Sequence, residues 1–354
     1  MHILYVIMIF AFFTLPTAAA QTIPADQSAV RVLGYFMVGR DDIPEASVTI
    51  KQFKMHMEML KKGGFNVISL DQMVKAHEND AALPEKSVAI TFDGGDKSIL
   101  TNAAPMLEDY QFPYTVFIAT DRADGKNPAY LDWKDLRNLQ KTGLATIGLN
   151  GQMYASLSFD TLTNIEKTIS NATARLRNQL SVNNTFFSFP YGEHSAQYQE
   201  IINRYQFKGL FGQQSGVAYK TSPQDILPRF MMTEDYADPD RFNMVINAMP
   251  IATTEITPTT SVIKTQNPAI GFTVTDDLKD ELDKLSCFAS GQDKPETSII
   301  GSRVEIRLNE ATNADRLRVN CTLPVTQEIH EKTMAWRWLG FLFHVNEPPQ
   351  LTHQ

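Results

Sequence analysis

Two cysteines in 354 residues cannot build a structural zinc site, which needs a full tetrahedron of thiolate and imidazole ligands. No cysteine follows the N-terminal apolar stretch, which argues against a lipoprotein anchor. Beyond that stretch no apolar run is long enough to cross a bilayer. An excess of basic residues is also missing: 32 Lys and Arg stand against 40 Asp and Glu, a net charge of -8. Such a chain has no electrostatic footprint for nucleic acid and is repelled by an anionic membrane surface, so no stable membrane anchor is expected. A neutral or partly cationic glycan is a compatible partner. Internal repeats and low-complexity tracts are absent.

What is present is an ordinary globular composition, 43% hydrophobic and 20% charged, in a chain long enough for a barrel of about 230 residues and a module of about 100. Residues 3–15 are apolar and end at Pro16, and Ala18, Ala19 and Ala20 precede Gln21. That pattern predicts a signal peptide over 1–20, a mature protein beginning at Gln21, and a secreted or periplasmic location. Only His2 precedes the apolar run, so a retained anchor is the alternative. Cys287 and Cys321 both fall in the last third. In an oxidising compartment such a pair reads as a disulfide, with two buried free thiols on neighbouring strands as the alternative.

Short apolar runs alternate with amphipathic helices from residue 30 to 211. Strands are predicted at 30–36, 65–69, 87–93, 112–118, 145–148, 186–189 and 207–211. Helices are predicted at 49–62, where Thr49 and Gln52 form a capping box, and at 71–78, 97–110, 132–141, 160–180 and 196–204. The alternation predicts an α/β fold with a parallel sheet wrapped by helices. Residues 251–260 are rich in Thr and Pro and read as a linker. Beyond them strands are expected at 270–274, 285–289, 303–308, 316–321 and 336–345, forming a small all-β sandwich over 261–346 with a tail at 347–354. On the last strand Trp336 and Trp338 share a face, suited either to stacking on sugar rings or to packing against the other domain.

The chain is organised around Ser87–Lys97, SVAITFDGGDK. Val88, Ala89 and Ile90 read as a buried strand, and Asp93-Gly94-Gly95-Asp96 turns the chain sharply at its C-terminal end, where α/β folds carry their chemistry. This stretch resembles the first motif of the polysaccharide deacetylases, the nodulation-protein-B homology family, in which Thr-Phe-Asp-Asp-Gly supplies a base and then a metal ligand. Phe112–Phe117 is similar to that family's second barrel strand. Phe189-Pro190-Tyr191-Gly192 is similar to its Arg-x-Pro-Tyr motif, and Leu227-Pro228-Arg229-Phe230 to a later one. The resemblance covers about residues 29–250. It implies a distorted (β/α) barrel of about seven strands over 21–250 and a substrate class of N-acetylated polysaccharides or oligosaccharides.

The departures from the family fall on its metal site. The second Asp is Gly94, and the His-x-x-x-His motif must fall on Asn150 and Tyr154. Glycine has no ligand atom, an amide is neutral, and a phenol ionises near pH 10. A bound metal lowers the pKa of water from about 16 to about 7, worth roughly 12 kcal/mol. The resemblance therefore predicts no cofactor here, although the family uses a divalent metal such as zinc, and it predicts loss of the family's amide hydrolysis. The motif Arg is replaced by Ser188, so Asp93 needs another partner, for which Arg229 is the candidate. A His expected before Pro250 has no counterpart.

What remains is Asp93 at the base position and the Tyr191 backbone N–H at the oxyanion position, with Pro190, Tyr191, Gly192 and Arg229 as candidate substrate-binding residues. A mixed metal site of Asp93, Asp96, Glu193 and His194, or an Asp93/Asp96 acid–base pair, is the rival arrangement, although Asp96 fits equally well as a helix cap. The expected protein is thus a glycan-binding relative of a deacetylase, with a rebuilt active enzyme or an envelope scaffold that binds a protein partner as alternatives. Tyr154 is expected to fill the space left by the metal.

Overall fold

Two stretches of the chain, Ser87–Asp93 and Tyr114–Ala119, are buried at every residue, the signature of parallel strands covered on both faces. They form the middle of the larger sheet in a computed structural model that describes residues 23–183, 185–312, 314–325 and 335–345. The expected signal peptide and the 347–354 tail lie outside the described residues. Arg31–Tyr35 pairs on one side of Ser87–Asp93. On the other side follow Tyr114–Ala119, Ala145–Gly151, Phe187–Ser188, Leu210–Phe211 and Ile226–Leu227, all parallel. Phe230–Met231 pairs with the free edge of Arg31–Tyr35.

The two edges of this sheet, Ile226–Leu227 and Phe230–Met231, are separated only by Pro228 and Arg229. They are two halves of one segment, so the sheet closes on itself. Pro228 has no N–H to offer either ladder, which suits the break. Counting the halves as one stave gives the distorted (β/α) barrel of about seven strands that the motifs predict, with Asn66–Val67 added beside the start of Ser87–Asp93. Helices cover the outside. Ile50–Lys62, Leu70–Glu78 and Trp133–Lys141 each start with a capping box. Leu162–Leu180 buries Ile165, Ile169, Ala172, Leu176 and Leu180 along one stripe.

The C-terminal region is a sandwich. One sheet contains Met249–Pro250, Trp336–Val345, Arg316–Pro324 and Ser286–Ala289, with Val262–Ile263 also on Trp336–Val345. The other runs Thr253–Thr257, Ile270–Val274, Arg303–Arg307, Glu296–Ile300. Phe272, Val304, Ile306, Leu317, Val319, Phe341 and Phe343 fill the space between them. Cys287 and Cys321 face each other across Ser286–Ala289 and Arg316–Pro324 and are bridged.

The segment expected as a linker is instead structural. Thr253–Thr257 pairs antiparallel with Ile270–Val274, and Met249–Pro250 already belongs to the opposite sheet. Its composition misleads because Thr suits a half-exposed strand as well as a loop, and Ile256 turns inward. Glu296–Ile300 escaped the sequence reading because it is an exposed edge strand with no apolar alternation. Trp338 packs edge-on against Phe230 of the barrel at 5.4 Å, and its Nε1 donates to Asn320 Oδ1 at 3.1 Å. That indole is an interdomain contact.

Two buried histidines make the fold sensitive to acid. His56 Nε2 donates to the Ala237 carbonyl at 3.0 Å, so Nδ1 accepts from the Tyr35 hydroxyl at 2.9 Å, and the ring stacks on Phe242 at 3.7 Å. At the domain seam the His194 N–H donates to Ser261 Oγ at 2.7 Å. Burial lowers both imidazoles to about 4. A folded-state pKa below the unfolded value near 6.5 means that stability is fully present above about pH 6.5 and is lost as the pH falls towards 4, by about 2–3 kcal/mol per group. The urea midpoint should therefore be level above neutrality and fall between these limits, with a shallower fall for His56→Gln. A midpoint unchanged from pH 7 to about 4.5 would contradict this.

Candidate functional site

Alternation along Ser87–Asp93 sends Val88, Ile90 and Phe92 to the helices and Ala89 into the barrel, so Thr91 and Asp93 share the inner face. Asp93 is 1% exposed, and its partner is the wholly buried Arg229 from the break in the closing stave. The pair is bidentate: Nη1 to Oδ1 at 2.9 Å and Nη2 to Oδ2 at 2.7 Å. The remaining guanidinium hydrogens go to the Gly212 carbonyl (2.9 Å), Thr91 Oγ1 (3.1 Å) and Ser188 Oγ (2.7 Å). The Ser188 hydroxyl in turn donates to Asp93 Oδ2 at 3.2 Å. Every donor of the guanidinium fork is used, which is what a buried ion pair requires.

Beside Asp93, the positions corresponding to the family's metal ligands hold no ligand set. Gly94 adopts φ +86°, and a Cβ there would lie 2.7 Å from Arg122 Nη1 and 3.9 Å from the Tyr154 ring. Arg122 donates from Nη1 to the Gly94 carbonyl at 2.8 Å. Its guanidinium lies over the rings of Tyr130 (4.3 Å) and Tyr154 (4.9 Å). Asn150 is committed to the backbone at both ends of its amide. Oδ1 accepts from the Gly94 N–H at 2.9 Å, and Nδ2 donates to the Ser188 carbonyl at 3.0 Å. The Tyr154 hydroxyl is buried, facing the Tyr191 backbone and the Gln213 side chain without closing a hydrogen bond to either. Burial first, and the Asp93 charge second, push this phenol far above the ordinary tyrosine range.

A divalent ion does not fit these residues. Carbon, a fully bonded amide and a neutral phenol stand where ligands would be needed, and a guanidinium cation lies against them. Among the described residues no three His, Cys, Asp or Glu side chains come together in a group that could hold a metal. The rival set of Asp93, Asp96, Glu193 and His194 is spoken for. Asp96 Oδ1 accepts from the Ser98 N–H at 2.8 Å, and Oδ2 meets Arg40 at 3.1 Å. Glu193 pairs with His344 at 3.0 Å. Burial pushes the Glu193 carboxyl up, but hydrogen bonds from His344 and Ser156 outweigh it and hold the group below its usual range. His194 lies buried against Phe189.

The Pro190–Gly192 turn forms the other wall. Tyr191 adopts φ +60°, unusual for a non-glycine residue, and its ring is 40% exposed and 5.1 Å from that of Tyr154. Pro190 and Gly192 are buried, as is Arg229. Of the candidate substrate-binding residues only Tyr191 therefore presents a side chain to solvent. Arg229 holds Asp93 instead of meeting a ligand. The sandwich braces this turn, with Arg316 Nη2 donating to the Tyr191 carbonyl at 2.6 Å. Sequence reasoning missed Arg122 and Arg316. The only local signal for Arg122 is its place just after the Tyr114–Ala119 strand, and Arg316 lies 125 residues from Tyr191.

Residues 80–210 match the family model described as polysaccharide deacetylase. A poly-beta-1,6-N-acetyl-D-glucosamine N-deacetylase of Staphylococcus aureus is 24% identical over 212 residues, 57% of this chain and 73% of that protein. The Escherichia coli enzyme of the same name is 24% identical over 229 residues, covering 53% of this chain and 34% of its own length. Among solved structures, the Streptococcus pyogenes deacetylase PplD in complex with acetate aligns at TM-score 0.57 and 18% identity, covering 62% of this chain and 98% of that one. IcaB from Ammonifex degensii aligns at 0.56 and 20% identity, covering 62% and 95%. At these identities the structural likeness establishes the fold. With the motifs, the closed barrel and the family match in agreement, the chain carries a polysaccharide deacetylase domain over residues 80–210 and through it belongs to the polysaccharide deacetylase family.

Proposed function

We propose that this protein is an exported glycan-binding member of its family that holds N-acetylated polysaccharide without metal-dependent deacetylation. The observation that carries the reading is the state of the Gly94 position: Arg122 Nη1 and the Tyr154 ring lie where an acidic side chain would have to begin. A carboxylate without a metal lacks the roughly 12 kcal/mol that coordination contributes to forming hydroxide at neutral pH. Asp93 is also tied through both oxygens to Arg229. The exposed Tyr191 ring offers an apolar face to a pyranose. The names of the Staphylococcus and Escherichia relatives favour a polymer of N-acetylglucosamine as the ligand.

The test uses the mature protein, isolated from the exported fraction and expected to begin at Gln21. Elemental analysis should find no stoichiometric zinc or other divalent metal. Incubation with an N-acetylglucosamine oligomer should release no acetate, and Asp93→Asn should leave that result unchanged. The same oligomer should shift amide resonances around Tyr154 and Tyr191. Acetate release abolished by Asp93→Asn would establish instead a working enzyme with a rebuilt site. No response to any glycan, with co-purification of another envelope protein, would favour a scaffold.

A further inference from the structure

The charge around Tyr154 and Tyr191 does not balance, and the imbalance is positive. Asp93 is neutralised by Arg229, and Glu193 is paired with His344. Arg122 forms no ion pair among the described residues. It is held by the Gly94 carbonyl and by two tyrosine faces, half-buried, with only Nη1 engaged in a hydrogen bond. Arg316 approaches the same tyrosines from the sandwich. Its Nη2 bonds the Tyr191 carbonyl, while its Nε is buried with no hydrogen-bond partner. Burial, then the charge of Arg318, lowers its pKa despite the opposing pull of Glu193. In a chain of net charge -8, two guanidinium groups without carboxylate partners stand on either side of one exposed aromatic ring.

From this juxtaposition we infer that the cleft recognises a carboxylate-bearing saccharide, with Arg122 and Arg316 receiving the acid group and Tyr191 stacking on the sugar ring. Guanidinium groups match a planar carboxylate with paired N–H donors, and charge-assisted bonds of this kind are about twice as strong as neutral ones. The overall negative charge does not oppose this at contact, because exposed charges are screened beyond about 10 Å at physiological salt. The inference rests on the glycan-binding reading and narrows it to an N-acetylated glycan that also carries an acid.

Titration calorimetry of the full mature chain with two probes separates the ideas. One probe is neutral chitotetraose. The other is a hyaluronan tetrasaccharide, which alternates N-acetylglucosamine with glucuronic acid. The acidic probe should bind at least about tenfold more tightly, and the advantage should shrink with added salt. Arg122→Gln and Arg316→Gln should each bring the two probes towards parity, and thermal melts identify a variant that has failed to fold, leaving the other to decide. Equal binding of both probes overturns the inference and leaves the glycan-binding reading standing. An acidic preference untouched by both variants also overturns it. Failure of both probes to bind removes the glycan-binding reading with it.

Discussion

Replacing Arg229 with methionine should remove about 3–5 kcal/mol of stability. The change takes a cation from beside Asp93, whose side chain has no exposed surface, and strips both carboxylate oxygens of their strongest donors. It also leaves the Gly212 carbonyl without the Nε–H that reaches it across the closing stave. Water cannot easily make up the loss, because Phe117 and Phe211 pack around the guanidinium at 5.4 and 6.0 Å. The double variant Asp93→Asn/Arg229→Met should recover a substantial part of the deficit, since the penalty is that of an uncompensated buried charge and not of a missing attraction. Urea unfolding of the four members of this cycle measures the coupling directly. A single-variant loss below about 1 kcal/mol, or strict additivity of the two, would show that the pair is not the closed buried unit described above.

Zinc uptake should be recoverable only as a set. Gly94→Asp, Asn150→His and Tyr154→His together with Arg122→Ala should give a protein that retains stoichiometric zinc through dialysis, whereas the parent retains none. Gly94→Asp alone should fail for two physical reasons. A Cβ at that position meets Arg122 Nη1 at 2.7 Å, and φ +86° is a conformation that costs a non-glycine residue about 1–3 kcal/mol. Asn150→His alone should also fail, because it breaks the amide link between the Gly94 N–H and the Ser188 carbonyl and adds only one ligand. Calorimetry with zinc reads the outcome. Tight binding by Gly94→Asp alone would mean that Arg122 moves aside readily and does not block the position.

The sequence and the structure agree where the information is local. Three helices start at capping boxes written within four residues. The buried run Ser87–Asp93 ends in a carboxylate followed by two glycines, and both glycines adopt positive φ. The alternation on the last strand turns Leu339, Phe341 and Phe343 inward and leaves Trp338 on the other face. Disagreement appears where composition is ambiguous. The Thr-rich 251–260 segment reads as a linker until its partner strand, Ile270–Val274, is known.

The sequence by itself determined the barrel, the order of its motifs, the carboxylate at the end of one stave and the loss of all three metal-ligand side chains, because each depends on residue type and short spacing. Tertiary structure alone decided what replaced them. Arg229 reaches Asp93 across 136 residues and Arg122 reaches Gly94 across 28. Asn150 closes two backbone groups, and Arg316 of the sandwich meets the Tyr191 turn across 125 residues. Side chains so far apart in sequence carry no periodicity that couples them. They meet only because the closed sheet turns alternate residues inward and the sandwich rests on the ends of its strands, so the charge of the cleft is a property of the fold and not of any one segment.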